Sequence, residues 1–128
     1  MKKEFKEALE DSPIIAAIKD DEGLKKCVTS DSRVIFILYG DILTIPDIID
    51  TVKAAGKLAM VHIDLITGLS SKEITVDFLK KYTKADGIIT TKPTIAGIAS
   101  KAQAAPQAIT IVNDFIILLI CVNDCSVL

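Results

Sequence analysis

The sequence predicts an α/β protein made of successive strand–helix units, and three observations carry that expectation. Five short apolar runs recur along the 128 residues: PIIAAI from Pro13, VIFILY from Val34, LAMVHIDLI from Leu58, DGIITT from Asp86 and AITIV from Ala108. Their spacing is regular, with 21 residues from Ile14 to Ile35, 24 on to Ala59, 29 on to Ile88 and 21 on to Ile109. Each interval suits one strand, one helix and two loops. The runs are continuously apolar rather than alternating, as in parallel sheets covered by helices.

The elements follow in order. Lys2 to Leu9 is a helix with Phe5, Ala8 and Leu9 on one side. Strand one ends near Lys19 and strand two at Gly40-Asp41. Thr44 caps the next helix, with Pro46 and Asp47 in its first turn; Ile48, Ile49, Val52 and Ala55 form its buried stripe, and Gly56 ends it. Ser70 and Glu73 have the spacing of a capping box. Ile74, Phe78, Leu79 and Tyr82 then fall on one helical face. Thr94 caps a further helix with Ile95, Ile98, Ala99 and Ala102 inward. The most apolar run, Phe115 to Val122, reads as a buried strand, far short of the ~18 residues of a membrane span.

Composition narrows the class. Half the residues are hydrophobic and a quarter charged, as in a globular chain of one domain spanning 1–128. The net charge of -2 counts against strong non-specific nucleic-acid binding. Cys27, Cys121 and Cys125 form no metal or redox pattern and read as reduced cytosolic thiols. MKKEFKEALEDS is not a secretory signal. With one histidine and no partner ligand beside it, no zinc site is expected, and no cofactor is called for. There is no P-loop, no Gly-x-Ser-x-Gly, and no dinucleotide fingerprint after strand one.

Repeated strand–helix units build either an open doubly wound sheet or a (β/α)8 barrel. A barrel needs about 250 residues, so length alone favours a flavodoxin-like open sheet. In either case sites gather at strand carboxyl ends, where Lys19, Asp41, His62, Asp64, Thr90 and Lys92 fall. Strand alternation puts Met60, His62 and Asp64 on one face, and Ile88, Thr90 and Lys92 on one face of strand four. The pair His62/Asp64 suits acid–base work and ligand binding equally. Plainer roles are also open: a satisfied core histidine, aspartates bonding the amides of their own loops, and a solvated lysine.

The segments VIFILYGDI (34–42), VHIDLITGL (61–69) and ADGIITTKP (85–93), in this order and spacing, resemble the glycerol-3-phosphate-responsive antiterminators, also called glycerol uptake operon antiterminators. PIIAAI resembles the family's first strand, and the likeness covers about residues 11–101. The resemblance implies a TIM-barrel-like fold, here an incomplete barrel of four to five units. It implies a cytoplasmic bacterial regulator that senses glycerol 3-phosphate and binds leader mRNA, and not an enzyme. Asp41, His62, Asp64, Thr90 and Lys92, with Lys19, would then line the mouth of the barrel without catalysing. Rival readings are a small lyase or isomerase for a phosphorylated metabolite, with His62 and Asp64 as acid and base, and a non-functional fragment.

Residues 102–128 depart from the family, which continues with a Gln-Arg-Phe-like strand end and further units holding Gly-rich phosphate loops. The effector's phosphate site is therefore expected to be missing. The tail is expected to be a frameshifted or truncated end, since Val112-Asn113-Asp114 can be encoded so that a shifted frame reads Gln-Arg. A gene whose shifted frame gives no family-like continuation would overturn this. Lys72, Lys80, Lys81, Lys84, Lys92 and Lys101 cluster in the third unit and beyond, as an RNA face or an ordinary solvated surface; no aromatic stacking platform is visible. A half-barrel leaves a sheet edge and an apolar face uncovered, so sedimentation of the purified chain is expected to show dimers or aggregates; clean monomer would contradict it.

Overall fold

The computed structural model describes residues 15–70, 72–91, 107–112 and 115–120, the last two segments as backbone strands. The expected helices at 2–9 and 94–102, together with Lys92, Cys121 and Cys125, lie outside these residues. The elements are β1 (Ile15–Ile18), α1 (Asp21–Val28), β2 (Val34–Ile37), α2 (Ile45–Ala54), β3 (Leu58–His62), a 3-10 turn (Ile63–Leu65), α3 (Glu73–Tyr82), β4 (Gly87–Thr90), β5 (Gln107–Val112) and β6 (Phe115–Ile120).

Strands β1, β2, β3 and β4 lie side by side in chain order, all parallel. A doubly wound sheet reverses its strand order at a switch point, and these four do not. Length had favoured an open flavodoxin-like sheet; the described strands form one six-stranded sheet whose first four strands lack the flavodoxin order and follow one another as barrel units do. The helices keep to one side. Ile18, Ile35, Ile37, Ala59, Val61 and Ile88 from the strands pack with Ile45, Ile49, Val52 and Leu79 from α2 and α3 in one core. On the other face Val34, Phe36, Leu58, Met60 and Ile89 are buried as well. Burial on both faces is why these strands read as unbroken apolar runs.

The fifth run does not continue the parallel succession. β6 pairs with β4 in parallel, and β5 pairs antiparallel with β6. The apolar segment Phe115–Ile120 thus takes the place beside β4, as a strand, while Gln107–Val112 turns back along it.

The helix ends differ from expectation in detail. Asp20 caps α1, its carboxylate accepting the Gly23 N–H at 2.7 Å. Cys27 on that helix is a buried free thiol. Thr44 stands at the cap of α2 without a side-chain cap bond, and Pro46 sits in the first turn. Ala55 is exposed rather than inward, because the helix ends at Ala54 and Gly56 takes the left-handed conformation (φ 78°). The capping box does not form: α3 begins at Glu73 itself, and the Ser70 N–H donates to Thr75 Oγ1 at 3.2 Å. Its buried face is Thr75, Val76 and Leu79, whereas Ile74 and Tyr82 are 67% and 65% exposed.

The amino edge of the sheet is stapled by buried charge. Asp86 Oδ2 accepts the Ala59 N–H at 2.9 Å and Lys53 Nζ at 2.8 Å, while the Asp86 N–H donates to Ala59 O. Buried Lys57 donates to Ser30 O at 2.8 Å and Ser32 O at 2.6 Å. Asp86→Ala strips the buried Ala59 N–H of its acceptor. A loss of about 1–3 kcal/mol in urea unfolding, with an unchanged slope, is expected; an unaltered midpoint would show that the staple contributes nothing.

Candidate functional site

Parallel register gathers the carboxyl ends of β1–β4 at one edge. Lys19, Asp41, His62, Asp64 and Thr90 all stand there, but they do not form one cluster. Lys19 is exposed beside Asp20, Glu22, Gly23, Lys26 and Leu38, with none of the other candidates.

Asp41 bonds its own loop, the plainer of the two roles open to it. Its Oδ1 accepts the N–H groups of Leu43 and Thr44 at 2.9 Å each and the Thr44 hydroxyl at 3.1 Å. These bonds, the Thr44 amide first, hold the carboxyl below its usual range. The same loop is stitched to the one after β3: Ile42 N–H donates to Thr67 O at 2.8 Å, and Thr67 N–H to Gly40 O at 3.0 Å. The stitch depends on Gly68 (φ 94°), where a Cβ would come within 3.0 Å of Ile42 Cγ2.

His62 and Asp64 part company. The strand ends at His62 and the backbone turns 3-10 at Ile63, so simple alternation fails beyond that point. His62 pairs with Ile89 in register and shares the face away from the helices with Met60 and Phe36. It is 8% exposed, and its Nδ1 is buried with no hydrogen-bond partner among the described residues. Burial pushes its pKa below the ordinary value, and the nearby Asp64 charge pulls partly back. Asp64 reaches beyond its own loop. Its Oδ2 accepts both the N–H and the hydroxyl of Thr91, each at 2.9 Å, tying the end of β3 to the end of β4.

Thr90 is buried in phase with Ile88, which packs in the helix-side core, so strand four turns this threonine away from His62's face. Thr91 and Thr67 are the site residues that sequence reasoning missed. Their partners lie 27 residues away for Thr91 and across a loop for Thr67, and only Gly68 after Thr67 gives a local signal. Among the described residues no group of three or more His, Cys, Asp or Glu is placed to hold a metal, and no helix is long and apolar enough to cross a membrane. The arrangement offers a buried imidazole nitrogen for a ligand's polar atom. It does not offer a His–Asp dyad joined through Nδ1, as acid–base chemistry would use.

Comparison with known proteins adds the family. A model described as "Glycerol-3-phosphate responsive antiterminator" matches residues 14–117. The protein YgcP of Escherichia coli K12, described as uncharacterized, is 48% identical over 84 residues, which is 66% of this chain and 44% of that protein. The crystal structure of a glycerol uptake operon antiterminator regulatory protein from Listeria monocytogenes aligns with a TM-score of 0.60 at 26% identity, over 63% of this chain and 44% of its own. A glycerol uptake operon antiterminator-related protein from Thermotoga maritima aligns at 0.59 and 35% identity, over 66% and 47%. The chain thus spans less than half the length of these relatives.

His62 gives the site a pH signature. A histidine kept neutral by burial binds its proton less readily folded than unfolded. Its contribution is therefore full above the unfolded pKa of about 6.5 and is lost as pH falls from there toward the folded pKa. Urea midpoints measured from pH 8 to 5 should drop below pH 6.5 in the parent chain and drop less in His62→Phe. Parallel curves for the two proteins would refute the assignment.

Proposed function

Because the chain belongs to the glycerol-3-phosphate responsive antiterminator family, we propose that it is a cytoplasmic regulator that takes glycerol 3-phosphate as effector and acts on leader mRNA, residues 1–128 serving as one domain. The observation that carries the effector half is His62. A buried Nδ1 without a partner among the described residues costs stability, roughly 1–3 kcal/mol for an unmet polar group, unless a ligand atom meets it. A glycerol hydroxyl is of the right chemistry, as donor or acceptor to a neutral imidazole.

The other candidates take graded roles in this reading. Asp64 and Asp41 shape the mouth through Thr91 and Thr44 rather than touching the effector first. Lys19 and Lys92 are the cations available for the phosphate, and Thr90 supports the β4 end. A pocket role without turnover fits an Asp64 that is already committed to Thr91.

Thermal unfolding with and without glycerol 3-phosphate tests the proposal, since a ligand that binds only the folded chain raises its melting temperature. A concentration-dependent rise that His62→Ala abolishes is expected. A cooperative melt indifferent to the effector would refute effector binding by this chain.

A further inference from the structure

The described helices run back against the strands, so their first turns lie at the carboxyl edge and their last turns at the amino edge. Charge follows that direction. First turns carry Asp21 and Glu22, Asp47, and Glu73; last turns carry Lys25 and Lys26, Lys53, and Lys80 and Lys81. Complementing the helix dipoles accounts for this sorting. It leaves the effector edge rich in carboxylates and the opposite edge rich in lysine, except for Lys26, which lies beside Lys19.

The dipole does not account for what stands at the end of α3. Tyr82 is 65% exposed there, although its spacing had placed it on the buried face. Its ring lies 5.8 Å from that of half-buried Phe78, tilted by 33°. Lys81 Nζ lies 5.6 Å from the centre of the Tyr82 ring, within cation–π range. Lys80 and exposed Lys84 flank it. The chain's next acid, Asp86, is buried and spent on Ala59 and Lys53. An exposed aromatic surface set among cations is the platform that single-stranded nucleic acid uses, bases on the ring and phosphates on the lysines.

We propose that the amino-edge end of α3, with Tyr82, Lys81 and Lys84, is the surface on which this chain binds single-stranded RNA. The proposal rests on the regulatory reading above and gives it a location, on the edge opposite His62. An acidic protein segment would use the lysines alike but has no need of an exposed ring to stack on, which is what favours RNA.

Fluorescence anisotropy with a labelled fifteen-nucleotide poly-U RNA, over a salt series, tests it on the full chain. Tyr82→Ala should weaken binding about tenfold, the scale of one lost base stack, and Tyr82→Phe should restore it. Lys81→Gln with Lys84→Gln should flatten the salt dependence by about 1.4 in slope, about 0.7 for each cation lost. Lys72→Gln, which removes the same charge from the other end of the helix, should leave affinity near that of the parent. Circular dichroism melts confirm that these exposed substitutions leave the fold intact. If the parent binds but affinity follows Lys72 and ignores Tyr82, the RNA reading survives and this location is wrong. If only the lysines matter and heparin competes equally against the parent and Tyr82→Ala, the surface is a general polyanion site and the proposal fails. If the folded parent binds no RNA, the regulatory reading falls and the location with it.

Discussion

Four parallel strands in chain order, three of them buried on both faces, constrain everything else in the molecule. In β2, β3 and β4 every residue is buried, so the interior has no room for an unpaired polar group. Polar side chains can enter only where a strand gives out. This is why both the structural staples and the candidate site lie at the sheet's two edges. It is also why an ionisable group at an edge is either paired at once, like Asp86, or held neutral, like His62.

The two edges solve this problem differently. At the amino edge Asp86 and Lys57 spend their charges on backbone groups of neighbouring strands and loops, and little is left over. At the carboxyl edge the aspartates also bond the backbone, through Leu43, Thr44 and Thr91, but His62 Nδ1 has no partner among the described residues. An edge that is fully satisfied serves stability. On the proposed reading, an edge whose buried imidazole nitrogen has no partner among the described residues exchanges some stability for the capacity to bind. That asymmetry, more than the presence of a histidine, is what the proposed site rests on.

Much of this was legible in the residues. The strands announced themselves because double burial makes them continuously apolar, and α2 because Pro46 and Gly56 bracket it. The gathering of Lys19, Asp41, His62, Asp64 and Thr90 at one edge followed from a repeated strand–helix period alone. What failed was non-local. Alternation carried Asp64 onto His62's face because nothing in IDL signals a 3-10 turn, and the Thr91 that Asp64 bonds lies 27 residues on, just past the end of β4. The α3 face was misjudged because Ile74, Phe78 and Tyr82 recur every four residues, a pattern that buries or exposes a stripe depending on the neighbour. The neighbour chose Thr75, Val76 and Leu79. Chain length carried no information on strand order, because consecutive parallel pairing depends on the direction of each crossover rather than on the number of units.

The two proposed sites, for effector and for RNA, would stand at opposite edges, and that has a thermodynamic consequence. If one alters the affinity of the other, the coupling must be reciprocal and must pass through an element whose arrangement both ligands bias. The segment from His62 to Tyr82 has the required reach. It begins at the buried imidazole, is pinned to β4 by Asp64 on Thr91 and to the β2 loop by Thr67 on Gly40, and enters α3 through the Ser70–Thr75 bond. Its far end is closed by the Thr83 hydroxyl on Leu79 O, one residue past the exposed ring. Leu79 and Val76 pack this helix on the strand core, so a shift at its first turn is carried by a rigid body to its last. A ligand that draws His62 and the turn after it would therefore be felt at Tyr82 as a movement of the whole helix, without any conduit through the apolar sheet.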